Sequence, residues 1–298
     1  MLQICRFFEP GAGPHLAAVA DEQVYDLTAT GQAAFTSLNA WLSSISQRGL
    51  AQAISHLRDA AAELKAAYYW TDLQHPPDSG RAHLLPPLDS QEVWAAGVTY
   101  LRSREAREEE SHQIGVYDKV YDAERPEIFL KATPQRVVGP YDFIRARSDS
   151  HWTVPEPELT VLLSPELQVV GYTIGNDVSS RDIEGENPLY LPQAKIYSRS
   201  CALGPAITLA SDLNGPVLIE LTIRQTDKVI FQGAINTDQM KRSIADLVSY
   251  LGRENEFPNG VFLMTGTGLV PPDSYTLQTG DVIEISIEGI GQLVNPVQ

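Results

Sequence analysis

The chain has 298 residues, 43% of them hydrophobic and 20% charged, enough for one large domain or for a small domain joined to a larger one. Its formal net charge of −16 argues against a nucleic-acid or anionic-membrane partner, both of which need a basic patch, and no apolar run reaches membrane-spanning length. Two distant cysteines, Cys5 and Cys201, form neither a disulfide framework nor a thiolate metal site. With an N-terminus lacking a signal-peptide pattern, they lead to the expectation of a cytoplasmic protein.

The stretches LQICRFF and HLAAVADEQVYDL alternate like short strands, with turn signals at Pro10-Gly11 and Asp21. Between residues 33 and 69, apolar residues such as Phe35, Leu38, Leu42, Leu50, Ile54, Leu57 and Leu64 recur at helical steps. A break at Gln47-Arg48-Gly49 divides this stretch into two helices. QHPPDSGRAHLLPPLDS then reads as a linker. Residues 1–85 are therefore expected to form a small α+β unit. Residues 86–298 are expected to form a β-rich mixed fold, built from VWAAGVTY, EIFLKA, ELTVLL, VVGYTIGNDV, PVLIELTIR and DVIEISIEGIG. Helical patterning there is confined to a charged segment from Leu101 to Ser111 and to Ile244–Gly252.

In VPEPEL, Glu156 and Glu158 lie two residues apart on an extended chain and so share one face. Two carboxylates that close repel, and each raises the other's pKa unless a cation lies between them. Asp177 follows 19 residues after Glu158, and a hairpin can return it beside the pair. Three converging carboxylates make an all-oxygen site suited to Mg²⁺, Mn²⁺ or Ca²⁺ rather than zinc. Taken singly, an E-x-E on an exposed strand is more often two solvated side chains. Prolines and apolar neighbours on both sides weigh against that here, because unpaired buried carboxylates are costly. Lys195, between apolar neighbours, either extends to the surface or stabilises negative charge beside a metal-bound carbonyl. The loop MTGTGLVPP offers backbone N–H and hydroxyl donors for a carboxylate.

Together VPEPEL, GYTIGNDVSSRD, KIYSRSCALGP, TGT and GDVIEISIEGIGQLVNP resemble the fumarylacetoacetate hydrolase superfamily over most of the last 210 or so residues. The resemblance implies a β-rich mixed-sheet roll, of α+β class, behind a smaller N-terminal α+β domain, with 86–298 as the catalytic part. It implies a divalent metal, usually Mg²⁺, on Glu156, Glu158 and Asp177, and Lys195 beside the substrate. It also implies a substrate contact at Thr267 and assembly as a homo-oligomer, a dimer or a tetramer.

Hydrolases and decarboxylases of the family carry an Asn-Tyr-x-x-His-x-x-Glu pattern whose His and Glu activate water. Here GVTYLRSREAREEE places Thr99, Ser103 and Ala106 at the Asn, His and Glu positions. The wording YDAERPEIFLKA, HWTVPEPEL and ENPLYLPQAKIY instead resembles the branch that dehydrates 2-keto-3-deoxy-pentonates of arabinonate or xylonate type to 2,5-dioxopentanoate in pentose catabolism. That branch places an acid/base glutamate at Glu127, with Lys195 as its catalytic companion. Read without the family, Glu127 is equally an edge-strand charge paired with Lys131 or Arg125. Arg102 and Lys131 are further expected contacts to a small 2-oxo sugar acid. The Glu108-Glu109-Glu110 run is the solvated face of a short helix or part of a closing lid. Two alternatives stand: a hydrolase or decarboxylase of acylpyruvates or oxaloacetate with His112 as a relocated base, and a non-catalytic sugar-acid binder.

Overall fold

The computed structural model describes residues 1–100 and 123–298. The charged segment from Leu101 to Ser111, Arg102 and His112 lie outside the described residues.

Strands β1 (Gln3–Glu9), β2 (Gly13–Ala20) and β3 (Gln23–Asp26) form the expected antiparallel meander. The chain reverses at Pro10-Gly11 and again at Asp21-Glu22, with Gly11, Asp21 and Glu22 in the left-handed region. The helical pattern becomes α1 (Leu38–Arg48) and α2 (Leu50–Ala62). Ser37 caps α1 by accepting from the Ala40 N–H. The helices part at Gly49, whose φ of 83° and ψ of 151° suit a residue without Cβ. After β4 (Tyr68–Tyr69), the stretch read as a linker carries β5 (His83–Leu85). This strand pairs with β1 and buries His83 and Leu84 despite the flanking prolines.

The strands that carry the site follow: β6 (Glu92–Gly97), β7 (Glu127–Ala132), β8 (Val137–Val138), β9 (Thr153–Val154), β10 (Pro157–Leu163), β11 (Val169–Asp177), β12 (Ser179–Ser180) and β13 (Cys201–Leu209). Short helices α3 (Arg181–Glu186) and α4 (Leu191–Lys195) stand between β12 and β13. The chain ends with β14 (Leu218–Gln225), β15 (Lys228–Asn236), α5 (Ile244–Leu251), β16 (Val261–Met264), β17 (Asp281–Ile287) and β18 (Gly291–Pro296).

The main sheet runs β4-β3-β2-β1-β13-β11-β10-β16-β6-β7, with β5 added on β1 and β8 on β13. Only β16/β6 and β13/β8 pair in parallel, which makes the sheet mixed. A second, antiparallel sheet runs β15-β14-β17-β18. Apolar side chains of α1 and α2, among them Trp41, Leu42, Ile45 and Leu57, pack with Leu16, Leu162, Ile207 and Phe262 of the main sheet. In the second sheet, period-two alternation turns Ile219, Leu221, Ile223, Ile283, Ile285 and Ile287 inward against Leu159, Ile174 and Ala202. Burying each such side chain contributes about 1.5–3 kcal/mol. The result is the expected α+β, β-rich mixed roll. The N-terminal strands share its main sheet, since β1 pairs with β13 at Gln3↔Thr208 and Ile4↔Ile207. No helix among the described residues is long and apolar enough to cross a membrane.

Candidate active site

The site grows from the β10–β11 hairpin. Register pairs Pro157 with Asn176 and Glu158 with Gly175, and the Asp177 N–H donates to the Glu156 carbonyl at 3.0 Å. Asp177 therefore returns beside the two glutamates, as the spacing predicts. One carboxylate oxygen from each of Glu156, Glu158 and Asp177 lies within 4.8 Å of the others, and all three residues are buried. Gly175, opposite Glu158, has no room for a side chain: a Cβ there would lie 2.3 Å from the Thr160 hydroxyl.

Three buried cations face the three carboxylates. Lys195, at the C-terminal end of α4, places Nζ 2.8 Å from Glu156 Oε2, 2.9 Å from Asp177 Oδ2 and 2.5 Å from Ser179 Oγ. Lys131 reaches Asp177 Oδ1 at 2.6 Å and donates to the carbonyls of Val178 and Lys195 at 3.0 and 2.5 Å. Arg181, at the start of α3, brings Nε and Nη2 to Glu156 Oε1 at 3.0 and 2.9 Å. Lys131, Lys195 and Arg181 are 0%, 1% and 2% exposed, so bulk water does not screen these pairs.

Glu158 is held differently. Its Oε2 accepts from the Gly266 N–H at 2.6 Å. Burial, and then the fields of Asp177 and Glu156, push its carboxyl well above the usual carboxylate range, while Lys195 and the Gly266 N–H pull it back. Gly266 has a φ of +91°, and a Cβ there would lie 2.1 Å from Thr99 Oγ1. The Thr99 hydroxyl donates to the Thr265 carbonyl at 2.7 Å. Thr99 thus pins the turn that holds Glu158.

Strand β7 runs beside the cluster, with Lys131 on Asp177 and Phe129 near Lys195. Glu127, Phe129 and Lys131 follow at two-residue steps. The Phe129 ring lies 5.7 Å from Lys195 Nζ, within cation–π range. Glu127 sits opposite Gly97 in the β6–β7 register, and its Oε2 is buried without a hydrogen-bond partner among the described residues. Thr267, in the turn after β16, exchanges hydrogen bonds with the backbone of Leu269 at 3.0 and 3.2 Å.

The fold thus brings together Glu156, Glu158, Asp177, Lys195 and Lys131, with Glu127 on the Lys131 face of β7 and Thr267 one residue beyond Gly266. Lys131 meets Asp177 rather than Glu127, so among the described residues the pairing of Glu127 with Lys131 is not made. Arg181, Ser179, Phe129, Thr99, Gly266 and Gly97 gain roles that the motifs alone did not give them. The four-residue spacing of Glu127 and Lys131 on one strand was the signal for Phe129, midway between them. Nothing local marked Arg181, whose side chain reaches back 25 residues to Glu156. An all-carboxylate, buried donor set fits a hard divalent cation with oxygen preference.

The model of the fumarylacetoacetate (FAA) hydrolase C-terminal family matches residues 92–298. A probable 2-keto-3-deoxyxylonate dehydratase of Haloferax volcanii is 53% identical over 217 residues, which is 72% of this chain and 75% of that protein. The 2-dehydro-3-deoxy-D-arabinonate dehydratase of Saccharolobus solfataricus is 47% identical over 218 residues, covering 71% and 73%. The solved structure of 2-keto-3-deoxy-D-arabinonate dehydratase complexed with magnesium and 2,5-dioxopentanoate superposes with a TM-score of 0.82 at 35% identity, over 100% of this chain and 99% of that one. On this evidence the chain belongs to the fumarylacetoacetate hydrolase superfamily.

Proposed function

We propose that the protein is a magnesium-dependent dehydratase converting a 2-keto-3-deoxy-pentonate to 2,5-dioxopentanoate. The observation that carries this reading is the pairing of a buried three-carboxylate cluster with a glutamate, Glu127, whose Oε2 is buried and unpartnered on the adjoining strand face. Dehydratases of this substrate class are among the chain's most similar relatives, and one of them binds magnesium with 2,5-dioxopentanoate.

Glu156, Glu158 and Asp177 hold the cation, which when bound polarises the 2-oxo acid head of the substrate. Lys195, anchored by Glu156, Asp177 and Ser179, places a positive charge where negative charge develops on the substrate's 2-oxo oxygen. Glu127 takes the C3 proton at Oε2. The C4–O bond breaks, and the leaving hydroxyl departs as water once protonated. A proton shift from C5 to C3 then gives the C4=C5 enol, and tautomerisation, with the O5 proton passing to C4, yields the aldehyde. Phe129 walls off water beside Lys195. Lys131, tied to Asp177 and two carbonyls, fixes the metal-ligand strand, and a direct substrate contact from it requires Asp177 to release it. Thr267 is proposed as a substrate contact, as is Arg102, which lies outside the described residues.

The same reading makes the protein a cytoplasmic homo-oligomer, dimer or tetramer, in pentose catabolism. Its two cysteines are free and buried, and light scattering reads the assembly. The division at residue 85 assigns all of this constellation to residues 86–298.

The test is a coupled assay with Mg²⁺ and 2-keto-3-deoxy-pentonate of each C4 configuration, trapping 2,5-dioxopentanoate with an NADP-linked aldehyde dehydrogenase. An EDTA-sensitive signal is expected, and the preferred isomer identifies the arabinonate or xylonate type. Silence with both isomers overturns the reading. Release of pyruvate from acylpyruvates under the same conditions would replace it with carbon–carbon cleavage.

A further inference from the structure

We propose that Gly97 is a positioning residue for Glu127: the side chain it lacks is the space into which the Glu127 carboxylate folds. This inference rests on the dehydratase reading for its kinetic consequence, though not for its geometry. Gly97 and Glu127 are cross-strand partners, the last and first residues of β6 and β7. A Cβ at position 97 would lie 2.0 Å from Glu127 Oε2, 2.6 Å from its Cδ and 3.3 Å from its Cγ, and these are the three nearest atoms. Real Cβ contacts do not come that close, so any residue with a side chain at 97 expels the carboxylate.

The obstruction is confined to the far end of a flexible side chain. The Gly97 backbone is not in the left-handed region, so alanine is compatible with its conformation. Gly97→Ala therefore leaves the strand pairing intact and moves one functional group. Glu127 gains nothing in compensation at its present position, since its Oε2 has no hydrogen-bond partner among the described residues. The vacancy at Gly97 is filled by that buried, unpartnered oxygen. The glycine thus sets the height of the acid/base group over the β6 edge. The next strand, β16, leads into Gly266 and its hydrogen bond to Glu158.

The experiment compares Gly97→Ala, Glu127→Gln and the double variant in the coupled assay, with Mg²⁺ affinity measured by calorimetry and a crystal structure of Gly97→Ala. Each single variant should lose roughly 10²–10⁴-fold in kcat, the range of a general acid–base group. The double variant should lose no more than Glu127→Gln alone, because two changes acting through one group do not multiply. Mg²⁺ affinity should stay within about threefold in all three, and the crystal structure should show Glu127 turned away from position 97.

Wild-type turnover in Gly97→Ala, losses that multiply, or an unmoved Glu127 carboxylate would overturn the inference. If the wild type makes no product from either isomer, the dehydratase reading fails, and the crystal position of Glu127 alone decides the geometry. If Gly97→Ala does not fold, Gly97→Ala/Glu127→Ala removes the obstructing group. Recovery of the fold in that variant supports the inference, and failure assigns Gly97 a backbone role instead.

Discussion

Two regions of the main sheet are equally buried and are held by opposite means. Beneath α1 and α2, Trp41, Leu57, Phe262 and their neighbours form one apolar cluster. At the other end of the same strands, Lys131, Lys195 and Arg181 meet Glu156 and Asp177 in a cluster just as inaccessible. Strand β10 spans both, running from Glu158 at one end to Leu162 in the apolar layer. In the apolar region each side chain contributes through its own area, so a loss stays local. In the ionic region each charge is tolerable only because of its partner, so a loss strands what remains.

That contrast can be broken by substitution. Lys131→Met, which removes the buried cation on Asp177, should cost about 3–5 kcal/mol in urea unfolding, and adding Asp177→Asn should recover part of it. Lys131→Met as stable as wild type would mean the pair contributes no net stability. Leu57→Ala should cost about 3 kcal/mol with no partner able to rescue it. Thr99→Val, which deletes one buried hydrogen bond and loosens the Gly266 turn, should cost about 1 kcal/mol and weaken Mg²⁺ binding in calorimetry.

The ionic region should also respond to pH where the apolar one does not. Glu158's carboxyl lies above the usual range, so a proton competes with a divalent cation at pH values where ordinary carboxylates are already ionised. Apparent Mg²⁺ affinity should therefore keep rising with pH above the ordinary carboxylate range and level off only above the raised Glu158 pKa. Calorimetry in buffers of different ionisation enthalpy should show proton release on binding. Pocket affinity independent of pH there would remove Glu158 as a ligand.

The legibility of the sequence follows the same division. Helical spacing around a Gly49 break, and period-two spacing at Glu156 and Glu158, are local patterns, and both appear in the fold where the residues put them. The hairpin returning Asp177 needed only a turn between two apolar runs. Strand β13 was less visible because CALGPAITL contains a Gly-Pro pair that reads as a turn, and β5 was hidden among prolines. Cross-chain relations were the hardest. Arg181 on Glu156, Thr99 on Thr265 and Gly97 under Glu127 each join residues that no periodicity links. A glycine whose significance is another residue's side chain leaves no local signature at all.

The pairing of β1 with β13 has a consequence for how the protein is made. Gln3 and Thr208 are neighbours across 205 residues of chain. At ribosomal speeds of about 5–20 residues per second, the N-terminal strand waits roughly 10–40 s for that partner to emerge. Until then β2 and β5 can cover most of β1, but the edge at Gln3 and Ile4 stays open. Strand β1 is thus made long before its sheet edge is completed, and any bulk attached ahead of Gln3 meets its constraint late, at the closing of the sheet.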